Sequence, residues 1–261
     1  MTSYYALNDE AYARLTNSER FAMLINEYRS NTPFPHVVLD GILDPYAVSR
    51  ASETFPTNEI PWWQYDNIFE KKYAWNQLRD LSVPIRGLIN ELQENKFVSF
   101  LETLTGIEGL IVDHTLNGGG IHKIRPGGKL DVHVDYNYHP ITRLDRRLNV
   151  LLYLNENWEE AWGGNLELWS KDMTHCVKSI SPVFNRMVIF STTDESWHGH
   201  PEPLACPLDR SRKSIALYYY TNGRPVCERS DPHSTIFKRR PQDPINPEHE
   251  LLRAKRAEKR L

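Results

Sequence analysis

The sequence predicts an α+β fold dominated by β: a jelly roll or related barrel with helices laid over one sheet. Three observations point there. From about residue 109 to Thr221, short segments rich in β-branched and aromatic residues alternate with Gly, Pro and Asn. The preceding hundred residues carry mainly helical periodicity, so helices come first and strands follow, rather than a βαβ alternation. No repeat of the roughly 20–50-residue kind runs along the chain, which excludes solenoids and propellers.

The first helix starts at Ser18, where Phe21, Leu24, Ile25 and Tyr28 recur on one face. Residues 33–41, PFPHVVLDG, form a strand. Asp44-Pro45 supplies an N-cap and a first-turn proline for a helix that buries Val48, Ala51 and Phe55. Two further helices cover 84–94 and 96–105, the second stopping at Gly106. Strands follow at about 109–116, 119–125, 130–135, 147–154, 165–169, 175–180, 187–191 and 213–221. After Pro225 periodicity fades until a charged terminal helix, HELLRAKRAEKRL, whose simplest form is solvent-facing with i,i+4 ion pairs. The expected units are therefore a helical region at 1–108, a β core at 109–225 and an extension at 226–261.

Composition narrows the function classes. With 261 residues and a net charge of −3, the chain has no general electrostatic reason to bind nucleic acid or an anionic membrane. Cys176, Cys206 and Cys227 are far apart and lack a CxxC pair, which fits a reducing compartment rather than a disulfide framework. The opening MTSYYALNDE has neither the basic region nor the apolar run of a signal peptide, and no apolar stretch nears the roughly 20 residues of a membrane span. A cytoplasmic location is expected.

The chemistry centres on LDVHVDYNY at 130–138. Alternation along a strand puts His133 and Asp135 on one face and Val132 and Val134 on the other. An imidazole and a carboxylate so placed can take adjacent positions on one metal ion, although a lone HxD arises readily by chance. His198, after the strand-like MVIFSTTDESW, supplies a second imidazole, with His200 as its competitor. Two histidines and one carboxylate leave open positions on iron, as in non-haem Fe(II) oxygenases. In SRKSIALYYYT, Arg212 and Ser214 share a face with Ala216 and Tyr218, a suitable clamp for a carboxylate. Arg210 competes for that role, whereas Lys213 alternates to the opposite face. In RLNVLLYLNENW, Tyr153 shares its face with Asn149 and Leu151, and its inward hydroxyl needs a partner.

HVD at 133–135, YLNENW followed by GGNLEL across 153–168, a histidine after MVIF, and RxS at 212–214 together resemble the prolyl 4-hydroxylase-like branch of the Fe(II)/2-oxoglutarate-dependent dioxygenases. The likeness extends over residues 33–225, since PFPHVVLDGILDP resembles that group's opening strand and helix. The resemblance implies a double-stranded β-helix, with Fe(II) held by His133, Asp135 and His198. It also implies 2-oxoglutarate as cosubstrate, its far carboxylate gripped by Arg212 and Tyr153 with Ser214 beside them, and O2 as co-reactant. Succinate and CO2 would leave as co-products while an unactivated C–H bond is hydroxylated; ascorbate is a further candidate cofactor. A prolyl residue or a small amino-acid-like metabolite is the implied substrate. Residues 60–66, IPWWQYD, and Tyr136, Asn137 and Tyr138 are candidates for its surroundings, the former also for plain aromatic core.

The sequence departs from that pattern at Ile124, where the family often has an aromatic, and in the long loop PEPLACPLDRS before Arg212. Tyr218 stands where nucleic-acid demethylases of the superfamily carry a second arginine, and Asp135 excludes a halogenase-like site. Two other classes remain open on the residues: a non-catalytic jelly-roll binding module, and a cupin-like metalloenzyme that does not use 2-oxoglutarate.

Overall fold

A computed structural model describes residue 13 and residues 16–258; the opening MTSYYALNDE and the last three residues lie outside them. Among the described residues, five α-helices are α1 (Ser18–Ser30), α2 (Pro45–Glu53), α3 (Val83–Glu91), α4 (Asn95–Thr105) and α5 (Pro247–Ala257). The Asp44 side chain caps α2 by accepting from the Ala47 amide at 2.9 Å, with Pro45 in the first turn.

Thirteen antiparallel strands form one curled sheet, the jelly roll expected. They are β1 (His36–Asp40), β2 (Trp63–Asp66), β3 (Glu70–Trp75), β4 (Ile111–Val112), β5 (Gly120–Ile124), β6 (Lys129–Val134), β7 (Asp145–Tyr153), β8 (Leu166–Trp169), β9 (Cys176–Ile180), β10 (Arg186–Ser191), β11 (His198–His200), β12 (Arg212–Thr221) and β13 (Ile236–Phe237). The path runs β1-β10-β7-β12-β5, passes through β3, and continues β6-β11-β8-β9. β3 makes the turn between the two halves, because its C-terminal end pairs with β5 and its N-terminal end with β6.

Alternation divides the work of each strand. On β7 and β12, Leu148, Val150, Leu152, Ile215, Leu217 and Tyr219 face outward into one apolar core with Ile85, Ile89, Phe97, Leu101 and Leu104 of α3 and α4. Each such aliphatic side chain contributes about 1.5–3 kcal/mol by burial, enough in sum to fix these helices on the sheet. The intervening residues, among them Asn149, Leu151, Arg212, Ser214 and Tyr218, line a pocket inside the curl.

Three local readings need correction. Residues 63–75 belong to the stretch read as mainly helical but form β2 and β3; their inward residues Glu70 and Lys72 pair with each other at 3.0 Å, which hides a strand behind a charged run. The strand expected at 109–116 is only Ile111–Val112. The terminal helix is not simply solvated: Arg253 reaches Asp131 at 3.5 Å and Arg256 reaches the buried Glu70 at 3.6 Å.

Candidate metal and cosubstrate site

His133, Asp135 and His198 are brought together, their ligand atoms all within 4.8 Å of one another. The His133 Nε2 lies 3.5 Å from one Asp135 oxygen and the His198 Nε2 lies 3.4 Å from the other. β11 pairs with β6 so that His198 stands opposite His133. The carbonyl two residues upstream accepts from each Nδ1, Asp131 O from His133 and Ser196 O from His198, both at 2.8 Å. Those bonds fix the ring orientations and, in the neutral rings, leave Nε2 bare toward the shared space.

Asp135 is held from behind. Its Oδ2 accepts from Arg146 Nη2 at 3.0 Å and from Asn149 Nδ2 at 2.7 Å. Burial alone would raise its pKa, but Arg146 and the two histidines override that and hold the carboxyl well below the usual range. Burial also lowers the His133 pKa, and the His198 ring adds to the effect. The three side chains thus present two imidazole nitrogens and a carboxylate anion, a donor set suited to Fe(II).

The same pocket, about 220 Å³, contains Arg212 and Ser214. Arg212 is 4% exposed. Its Nε donates to Gly164 O at 2.7 Å and its Nη2 to the Tyr153 hydroxyl at 3.1 Å. Among the described residues no carboxylate lies within ion-pairing range of it. Burial pushes the Arg212 pKa down. A buried cation without a counter-charge costs several kcal/mol, so this guanidinium fits the free carboxylate of 2-oxoglutarate. Gly164 makes the approach possible: at φ +74 it favours glycine, and a Cβ there would lie 2.5 Å from Leu204 Cδ2 and 3.1 Å from Arg212 Cδ.

The alternatives separate by position. Arg210 is exposed and Lys213 donates to Ser52 O on the helical side. His200 lines the pocket but is outside the three-residue cluster. Tyr136 lines the pocket and donates to Asn117 O at 2.7 Å. Asn137 instead turns to the C-terminal extension, donating to Ser230 Oγ and Asp231 O and accepting from the His233 amide. Tyr138 packs under Arg143 outside the pocket. Of IPWWQYD only Tyr65 reaches the pocket, while Trp62 packs against Phe55 and Tyr73. Ile124 lines the floor and packs with Trp162, Leu204 and Cys206, so the long loop before Arg212 closes that end. A larger open cleft of about 890 Å³, near Arg147 and Arg224, holds none of these residues.

Sequence reasoning missed the Arg146 support and the C-terminal wall. Thr235, Phe237 and Arg256 line the pocket, and the Phe237 ring lies 5.4 Å from that of His133.

Residues 119–220 match the family model of the 2OG-Fe(II) oxygenase superfamily. Over that segment the chain is similar to that superfamily. Its jelly roll is similar to that of a Trichoplax adhaerens prolyl hydroxylase solved with a hypoxia inducible factor oxygen degradation domain peptide, at TM-score 0.57 and 20% identity, covering 79% of this chain and 92% of that one. It is also similar to a Pseudomonas putida prolyl-4-hydroxylase, at TM-score 0.52 and 17% identity, covering 77% and 100%. Among curated proteins, mouse prolyl 3-hydroxylase OGFOD1 is 23% identical over 201 residues, which are 72% of this chain. The match spans 35% of that relative's length. No described helix is long and apolar enough to cross a membrane.

Proposed function

We propose that this chain is an Fe(II)- and 2-oxoglutarate-dependent hydroxylase acting on an unactivated C–H bond. His133, Asp135 and His198 are the metal ligands, and Arg212, Tyr153 and Ser214 clamp the cosubstrate. The observation that carries the reading is the unpaired buried guanidinium of Arg212 in the same pocket as the three-ligand cluster. A binding module has no use for that combination. A cupin-like enzyme that takes no 2-oxo acid would leave Arg212 uncompensated.

Bound Fe(II) and 2-oxoglutarate supply the oxidising chemistry, with succinate and CO2 as co-products. The chain's own groups orient and enclose. Arg212 neutralises the far carboxylate, the Tyr153 hydroxyl accepts from Arg212 and keeps its own hydrogen for the ligand, and Ser214 offers another donor. Leu130, Leu151, Leu166 and Phe237 line the remaining wall and exclude water. Arg146 and Asn149 keep Asp135 ionised and oriented. Tyr65, Tyr136, Thr235 and Arg256 are left for the substrate.

The substrate in this reading is a prolyl residue or a small amino-acid-like metabolite. The names of the prolyl-hydroxylating relatives support the first, and the small cavity supports either. The three free cysteines support a reducing, cytoplasmic setting.

The test is anaerobic titration of metal-free protein with Fe(II), then 2-oxoglutarate, following the visible charge-transfer band of the chelate. Wild type gives the band, Asp135→Ala does not, and Arg212→Ala needs far more 2-oxoglutarate. Absence of the band in folded, iron-loaded wild type would refute the reading.

A further inference from the structure

His200 stands apart from the machinery assigned so far. It is 4% exposed and lines the pocket, yet neither ring nitrogen has a hydrogen-bond partner. Leaving a buried polar group unsatisfied is costly, and a leucine or phenylalanine would avoid that cost. The backbone holds it firmly in place. A Cβ on Gly199 would lie 2.8 Å from Leu130 O and 2.9 Å from Asp131 O, so β11 sits against β6 at a distance only glycine permits. His198 and His200, two residues apart on β11, share the face toward the pocket, and an extra residue on β6 sets His133 opposite the first and Leu130 opposite the second.

Apart from Tyr65, Tyr136, Thr235 and Arg256, left above to the substrate, the pocket's other candidate donors are committed. Lys72 pairs with Glu70 at 3.0 Å. Arg146 also has an unpartnered Nη1, but its guanidinium is engaged with Asp135 and Asn149 and stacked on Tyr218. His122 has an unpartnered Nε2, but it stands opposite Ser214 of β12, beside the groups assigned to the distal carboxylate. His200 is paired beside the metal ligands instead, and in either protonation state it carries at least one N–H.

The proposed cosubstrate has two carboxylates. Arg212, Tyr153 and Ser214 can satisfy the distal one, whose two oxygens offer about four acceptor sites. The carboxylate at the 2-oxo end uses one oxygen on the metal, and its other oxygen needs a donor. We propose that His200 donates a hydrogen bond to the metal-chelating carboxylate of 2-oxoglutarate, making it a cosubstrate-binding residue one pairing step from the metal ligands. The inference rests on the 2-oxoglutarate reading above.

Three proteins decide it: wild type, His200→Phe, which keeps a ring without N–H, and His200→Gln, which restores a side-chain donor. Each is titrated anaerobically in the Fe(II) form with 2-oxoglutarate and with 2-oxopentanoate, which lacks the distal carboxylate, and metal-free samples are melted in parallel. His200→Phe should weaken both 2-oxo acids by a similar factor, roughly tenfold to a hundredfold. Its metal-free melting temperature should hold or rise, because an unsatisfied polar group has gone. His200→Gln should recover part of the affinity. Unchanged binding in His200→Phe overturns the proposal. So does a loss confined to 2-oxoglutarate, which would put His200 on the distal carboxylate, or a fall in melting temperature that tracks the loss. If wild type itself gives no charge-transfer band, the 2-oxoglutarate reading fails and the His200 assignment with it.

Discussion

Arg146 Nη2 lies 3.0 Å from Asp135 Oδ2, and the same guanidinium holds Asn149 Oδ1 while its face stacks 3.4 Å from the Tyr218 ring centroid. The proposed carboxylate ligand is thus fixed by a buried cation from β7, in the other half of the sheet. Replacing that cation with Arg146→Met strands a buried carboxylate. The expected cost is about 3–5 kcal/mol of metal-free stability, together with metal affinity lowered roughly 10–100-fold. Urea denaturation and Co(II) titration check the two effects separately. Asn149→Leu removes the amide's hydrogen bonds to Asp135 and Arg146 but keeps the charge pair, and should cost less in both.

Gly164→Ala places a methyl group against Leu204 and Arg212 at a left-handed backbone position. Stability should fall by about 1–3 kcal/mol. Half-saturation by 2-oxoglutarate should rise while Fe(II) binding stays near wild type, because the clamp moves and the metal ligands do not. Equal losses in both titrations would show that the effect is not local to Arg212.

Acid should destabilise the metal-free protein in a defined window. Burial pushes the His122 pKa from 6.5 to about 3, with Lys72 and Arg212 adding to the shift; burial also lowers His36. Unfolding below 6.5 therefore takes up protons that the folded rings refuse. This stabilisation is complete above 6.5 and is lost as pH falls toward the folded values. His233 has the opposite sign: burial opposes its charge, but Asp194 at 3.0 Å raises its pKa. Its contribution is full below 6.5 and is lost as pH rises through the raised value. Melting curves from pH 8 to pH 4 should show a low-pH decline, shallower in His122→Phe. Asp194→Asn should remove the His233 contribution.

Asn137 ties the C-terminal extension to the end of the metal-site strand through Ser230, Asp231 and the His233 amide. Asn137→Ala should cost about 1–3 kcal/mol and speed proteolysis around the exposed residues 226–231. Mass spectrometry of the nicked protein locates the cut. An unchanged cleavage pattern would mean that β13 and the Arg253 and Arg256 contacts hold the segment unaided.

Period-two alternation made much of this site readable. HxD on β6 and Arg-x-Ser on β12 each reduce to which face a side chain takes, and the structure keeps that parity. Arg146 escaped because parity breaks beside it. Tyr219 of β12 pairs with Leu148 but Tyr220 pairs with Arg146, so Arg146 and Asn149, three residues apart, converge on one carboxylate. The β6 irregularity that turns Leu130 and His133 into one pocket is equally invisible in a pattern. β3 escaped for another reason: its inward face carries a Glu70–Lys72 pair where a reader looks for aliphatics. The C-terminal wall depends on ion pairs between residues far apart in sequence, Arg253 with Asp131 and Arg256 with Glu70, and no local window contains both partners.

That wall bears on when the protein can acquire its metal. Tyr65 and Glu70 precede the three proposed ligands in sequence, while Phe237 and Arg256, which share their pocket, follow them. During synthesis His133, Asp135 and His198 emerge well before Phe237 can pair beside them. A nascent chain would offer the three proposed ligands to any passing divalent ion in an open, wet cleft. Enclosure, and the exclusion of water that favours orderly oxidation over self-damage, would come only once the segment carrying Phe237 and Arg256 had followed.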